Sequence, residues 1–231
     1  MTKIIHLTAD ENGGAFKAAT RINKVLMNLK ESRLIRKSDL ISEKPIQGKI
    51  EVFRNKLYSY IDCNLISNKE ILYAMGPISL GIMNSLKSSK NLFSNNFLHI
   101  HWASTGFISI RKIYNLSRRN KIIWHLHDLW LVQGIFHLNY NLTYTSTKPN
   151  HFIKLVDSFN RRLKKRYLQK INGVVICPSL WTYNIANQCE NLVTWEKILI
   201  PNPIDTKIFK PLKLSPEDHS LFQITNGKFV I

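Results

Sequence analysis

Acidic residues are scarce in this chain. Asp and Glu together number 15, against 33 Lys and Arg in 231 residues, which leaves a formal net charge of +18. Such an excess favours anionic partners: nucleic acid, the lipid surface of a membrane, or phosphorylated substrates. Long hydrophobic runs are missing as well. Nothing approaches the ~20 apolar residues that span a bilayer, and the best stretch, Ile71 to Met83, is interrupted. Cysteine is rare: Cys63, Cys177 and Cys189 form no CxxC pair and no metal-ligand spacing, so reduced, structural thiols of a cytosolic chain are expected. Residues 1–6 run straight into a strand-like segment without a signal-peptide layout, which agrees with a cytoplasmic location. Neither GxGxxG nor GxxxxGK followed by Ser or Thr occurs, so an ordinary dinucleotide fingerprint and a P-loop are both excluded.

What is present is an alternation. Lys3 to Thr8 reads as a strand, followed by a loop with Gly13-Gly14 and a helix over 15–29 with Phe16, Ala19, Ile22, Leu26 and Leu29 at helical spacing. A short strand is expected near 33–36 and a helix over 51–66. Phe97 to Trp102 is a strand, and Thr105 is placed to cap a helix running to about Ser117. Strands follow at 121–126, 173–177 and 197–200. Helices are expected from about Phe152 to Lys170 and from Leu180 to Asn187, the latter entered through Pro178-Ser179, with an irregular loop over 139–150. Strands alternating with helices imply an α/β fold, a Rossmann-like and mostly parallel sheet with helices on both faces. The hydrophobic fraction of 44% is enough for one large core. The expected division is a Rossmann-like domain over 1–202, then a linker and a first strand of a second domain over 203–231.

Ligands of such sheets bind beyond the carboxyl ends of the strands, and two candidate sites fall there. Gly13 and Gly14 allow backbone N–H groups to approach a phosphate at a helix N-terminus; the plainer alternative is a tight turn. The segment Ile122-Ile123-Trp124-His125-Leu126-His127-Asp128 ends a buried-looking strand on titratable side chains. His127 and Asp128 could orient a hydroxyl, act in proton transfer, or hydrogen-bond a polar substrate, or His127 could simply bond backbone at a strand end. His125, two residues earlier, shares its face, and His99 and His101 are expected as buried partners on the neighbouring strand. No familiar zinc-ligand spacing links these histidines, so no metal is expected. The densest basic cluster is Arg161, Arg162, Lys164, Lys165 and Arg166, and its plainest reading is a solvated helix face.

Four stretches in order resemble the N-terminal half of a family-four retaining glycosyltransferase of the two-domain B-type fold, closest to the bacterial exopolysaccharide and colanic-acid type. Gly13 to Ala19 is similar to that family's glycine loop and first helix. Trp124 to Trp130, with Gly134 and His137 following, resembles its HD-x-W segment. Val175 to Trp181 resembles its strand–PS–x–W helix start, and Ile200 to Pro211 resembles the PNGID-x-x-x-F-x-P link to its second domain. The resemblance implies transfer of a sugar from a nucleotide-sugar donor to a glycan or lipid-linked acceptor in surface-polysaccharide synthesis, with retention and without an obligatory metal or other cofactor. Gly13 and Gly14 would meet the donor diphosphate, and His127 with Asp128 would line the acceptor side. The basic helix, through Arg161, Arg162, Lys164, Lys165 and Arg166, would dock on the inner membrane leaflet.

Pro203 stands where the family usually has Gly, and Phe136 where close relatives often place Cys. The family's C-terminal domain supplies most nucleotide contacts, so residues 1–231 alone are expected to be inactive, as a fragment or as half of a split enzyme. Two other classes compete: a non-catalytic basic α/β module binding a membrane surface or glycan, and a nucleic-acid binder. The last is disfavoured because the aromatics are not interleaved with the basic clusters.

Overall fold

The computed structural model describes residues 3–9, 12–27, 32–36, 57, 94–103, 107–137 and 151–210. The helix expected over 51–66, the loop over 139–150 and the strand expected near 227–231 lie outside the described residues. Strands β1 (Ile4–Thr8), β2 (Ser32–Arg36), β3 (Phe97–Trp102), β4 (Lys121–His125), β5 (Val174–Cys177) and β6 (Glu196–Leu199) form one sheet. Their order is β2-β1-β3-β4-β5-β6 and every pairing is parallel. Helices α1 (Gly14–Met27), α2 (Ile110–Ser117), α3 (His151–Leu168) and α4 (Leu180–Gln188) complete the described architecture. The α/β, Rossmann-like expectation holds.

The chain leaves β1 toward β2 in one direction, whereas β3, β4, β5 and β6 step away in the other. Because parallel crossovers are right-handed, α1 covers one face and α2, α3 and α4 the other. The reversal falls between β1 and β3, which opens a crevice at the carboxyl ends of those two strands.

Helix α1 can lie close to the sheet because its inward positions are small: Ala15, Ala18 and Ala19 are buried at i, i+3 and i+4. The strands contribute the large groups. Leu7, Leu98 and Val175 are fully excluded from solvent, and Ile113 of α2 and Phe107 pack with them. Each such side chain contributes roughly 1.5–3 kcal/mol of transfer free energy. Gly173 permits a close approach, since a Cβ there would lie 2.5 Å from the Trp195 ring.

The cap of α2 differs from expectation. Thr105 lies outside the described residues; Ser109 is the cap, extended at φ −79° and ψ 152°, and its side chain accepts the Lys112 N–H. Ser179 caps α4 as its position suggested, in a reciprocal arrangement with Thr182. One feature of β3 has no sequence signal. Leu7 pairs with Ile100 but Thr8 pairs with Trp102, so His101 is an extra residue bulged out of the ladder at the crevice.

Candidate functional site

Strand alternation puts histidines on three adjacent strands: His6 on β1, His99 and His101 on β3, and His125 at the end of β4. The backbone of β4 stays extended one residue further, where the Leu126 N–H donates to Ile176 O, and then turns. His127 therefore lands beside His125, the two rings stacked at 4.3 Å and 8°. The bulge brings His101 between the strands. Its Nε2 lies 3.0 Å from His6 Nδ1, and its Nδ1 lies 3.0 Å from His127 Nε2. His99 closes the group, its ring 4.2 Å from that of His101 and 5.5 Å from that of His125.

Five imidazoles thus form one contact group beneath the crevice. His6, His99, His101 and His125 are at most 4% exposed, and only His127 is half-buried. Burial lowers every ring's basicity. His6 falls to about 4, through burial and then His125; His125 falls to about 4 through burial, with the Asn202 side chain acting in the opposite sense. His127 falls to about 3, through burial and then His125. His99 and His101 are pushed well below the usual range by burial first and their neighbours second. The cluster is uncharged at neutral pH. Among the described residues, several of its nitrogens find no hydrogen-bond partner: His6 Nε2, His99 Nε2 and both nitrogens of His125.

Asp128 does other work. Its Oδ1 accepts the Trp130 N–H at 3.0 Å, and its Oδ2 lies 2.5 Å from His137 Nδ1. His137 in turn stacks on Trp102 at 4.9 Å and 5°, and its carbonyl accepts the Leu129 N–H. Both oxygens of Asp128 are engaged in shaping the loop over 126–137, so the residue holds His127's neighbours in place.

The same loop is fastened to α3. Lys164 Nζ donates to the carbonyls of Trp130, Gln133 (2.8 Å) and Gly134 (2.6 Å) and lies 3.7 Å from the centre of the Trp130 ring. Asp157 Oδ1 accepts the Ile135 N–H, and a Cβ on Gly134 would collide with the Asp157 carboxylate. Lys164 is 1% exposed. Its expected place on a membrane-facing surface is therefore corrected: three converging carbonyls, matching the three donors of an ammonium group, draw it inward.

The rest of the basic cluster divides. Arg161 pairs with Asp157 at 2.6 Å and Lys165 with Glu190 at 3.0 Å. Arg162 and Arg166 are exposed and share a helix face with Phe152, Leu155 and Phe159, which are 53%, 56% and 54% exposed. Gly13 and Gly14 lie at the start of α1, on the same sheet edge as His127. A Cβ on Gly14 would meet nothing within 4 Å, so packing among neighbours does not demand a glycine there. Beyond β6, residues 201–209 pass this edge: Asn202 acts on His125, and Phe209 lies under the Arg21 guanidinium at 5.7 Å.

Sequence reading singled out His127 and His125 and anticipated His99 and His101 as buried partners. It missed His6, Asn202 and the inward turn of Lys164. The alternating His-x-His pairs were the available signal for the cluster; His6 could be added only with knowledge that β1 and β3 are neighbours.

Fold and site define an α/β protein with a largely buried imidazole cluster at the carboxyl edge of a parallel sheet, beside its switch point. Comparison with protein-family models yields no match for the chain, and none of the curated proteins matches it.

Proposed function

We propose that the chain forms the acceptor-side domain of a glycosyltransferase that moves a sugar from a nucleotide-sugar donor to a glycan or lipid-linked acceptor in surface-polysaccharide synthesis. The observation that carries this reading is the shared position of the Gly13–Gly14 loop and His127. Both lie at the carboxyl edge of the sheet, beside the one crevice that the strand order opens. In this reading the N–H groups at the start of α1 face the donor diphosphate, where the helix dipole favours negative charge. Neutral His127 directs a ring nitrogen at the sugar or the acceptor hydroxyl, with Asp128 and His137 fixing the loop around it. The bond from the anomeric carbon to the diphosphate breaks, a bond to the acceptor oxygen forms, and the acceptor's hydroxyl proton passes to the departing diphosphate, with no metal as reactant. Leu180 and Trp181, exposed at the start of α4 on this edge, offer apolar surface to a lipid-linked acceptor.

A second reading keeps the fold without the reaction: a basic module that docks on a membrane. The stripe of Phe152, Leu155, Phe159, Arg162 and Arg166 on α3 favours it, since exposed apolar groups next to arginines suit an anionic leaflet. The two readings are compatible if the docked protein is the transferase, with the stripe as its contact to the inner face of the cell membrane.

The deciding experiment assays transfer and hydrolysis of a panel of UDP- and GDP-sugars by the gene product containing residues 1–231. His127→Ala and Gly14→Pro run in parallel. Gly14 is the first residue of α1, where proline is tolerated, so that variant removes one N–H while sparing the helix. Turnover that collapses in both variants supports the transferase. Absence of turnover with every donor, or turnover indifferent to His127, removes it; binding to anionic vesicles would then leave the membrane module standing.

A further inference from the structure

The imidazole cluster has a property that sugar transfer does not use. Among the described residues, four ring nitrogens of three buried histidines lack a hydrogen-bond partner, and two of them are the pair on His125. Each such buried atom costs about 1–3 kcal/mol if it stays unmet, a cost that a water or a bound ion relieves. Among the described residues, no carboxylate joins the histidine groups whose nitrogens lie close enough together to hold an ion, and the rings are neutral, so their lone pairs are free for a Lewis acid. Two overlapping groups have ligand atoms within 4.8 Å of one another: His6, His99 and His101, and His101, His125 and His127. Every member of the first is buried. The second ends on half-buried His127 at the crevice.

We infer that His101, His125 and His127 bind a divalent transition metal of the imidazole-preferring kind, zinc foremost. His101 Nδ1 and His127 Nε2 are already 3.0 Å apart. Zn–N bonds of ~2.0–2.1 Å in tetrahedral array need the nitrogens about 3.3 Å apart, a shift of a few tenths of an ångström. In the metal-free chain one proton lies between this pair. The metal takes its place when His101 carries its proton on Nε2 and His127 on Nδ1, so no net proton is lost. His101 Nε2–H then donates to His6 Nδ1, 3.0 Å away, the supporting hydrogen bond that orients metal-bound imidazoles. His125 supplies the third nitrogen from a ring that is 2% exposed. The fourth position faces the crevice and takes water or a ligand oxygen. Three neutral nitrogens select zinc, nickel, cobalt or copper over magnesium and calcium. This proposal departs from the expectation of no metal drawn from sequence, and the reason is spatial: the ligands come from two strands and the turn after β4, with His101 presented by the bulge. A metal here engages His127 and competes with any reaction that uses that ring.

The test is titration of the chelator-stripped chain with zinc by calorimetry, and with cobalt by absorption spectroscopy. The expected result is one equivalent of each, with a tetrahedral cobalt spectrum free of thiolate charge transfer. His125→Gln and His127→Gln should weaken binding at least ~10-fold, and His6→Gln should weaken it by a similar or smaller factor through the lost supporting bond. His151→Gln, at the exposed start of α3, should change nothing. No saturable site, a thiolate band, or affinity unchanged in His127→Gln would overturn the proposal. Circular dichroism establishes which variants fold; should His125→Gln fail to, His127→Gln on the half-buried ring decides alone.

Discussion

Replacing Lys164 by methionine tests how the loop bearing Asp128 and His137 is held. The side chain keeps nearly its length and apolar stem but loses the ammonium, and with it the hydrogen bonds to the carbonyls of Trp130, Gln133 and Gly134. Bonds to a charged donor contribute about 1.5–3 kcal/mol each, and an orphaned buried carbonyl costs about 1–3 kcal/mol. Two effects reduce the sum. Burial of the ammonium is itself unfavourable, which is why the Lys164 pKa is pulled down by desolvation first, with Asp128 and Asp157 opposing. The loop can also relax to admit water. The net loss should resemble that of other broken buried charge networks, about 3–5 kcal/mol. That is a large share of a typical total of ~5–15 kcal/mol, and for a chain of this size it lowers Tm by roughly 6–20 °C. Thermal melts followed by circular dichroism measure it, and hydrogen exchange at Ile135, whose N–H is held by Asp157, reports whether the loop is what loosens. Arginine should not rescue, because its planar fork cannot reach three carbonyls that converge on one point. A methionine variant that melts within ~2 °C of wild type would show that desolvation cancels the three bonds and that Lys164 does not pin the loop.

Two further outcomes follow from the same packing. Gly134→Ala should cost about 1–3 kcal/mol in urea unfolding, because the new Cβ meets the Asp157 carboxylate and lies 2.6 Å from that residue's backbone oxygen, which the helix cannot move; an unchanged midpoint would mean that loop and α3 do not approach so closely. Cys177 is fully buried and burial pushes its thiol up to about 11, with Lys197 opposing, so alkylation at pH 8 should modify it only in denaturant, and rapid labelling of the native chain at that residue would contradict the placement of β5 in the core.

Local features were legible in the sequence and long-range ones were not. The strands around 97–102 and 174–177 announce themselves by apolar runs ended at turns, and Ser179 by its place before a helical pattern; each depends on neighbours a few residues away. The parity of His125 and His127 was equally local, and their rings do stack. Lys164 sits in a run of five charges among six residues, where every local rule predicts exposure. What buries it are carbonyls 30 to 34 positions earlier, at the one place where a turn leaves three of them converging. Asp128 reads as a catalytic neighbour of His127 by adjacency, yet a turn at that point sends successive side chains apart and commits it to Trp130 and His137. The cluster itself shows where the boundary lies. His-Ile-His on β3 and His-Leu-His at the end of β4 each put two rings on one face, a fact of period two. That the two pairs meet, that His6 joins them, and that His101 bulges to reach both sides depend on the strand order, with β1 beside β3. Only the right-handed crossover rule, applied to a chain whose strands reverse direction of travel after β2, connects that order to a crevice. The chemistry of the site therefore lies in the one feature of the fold that no window of sequence contains.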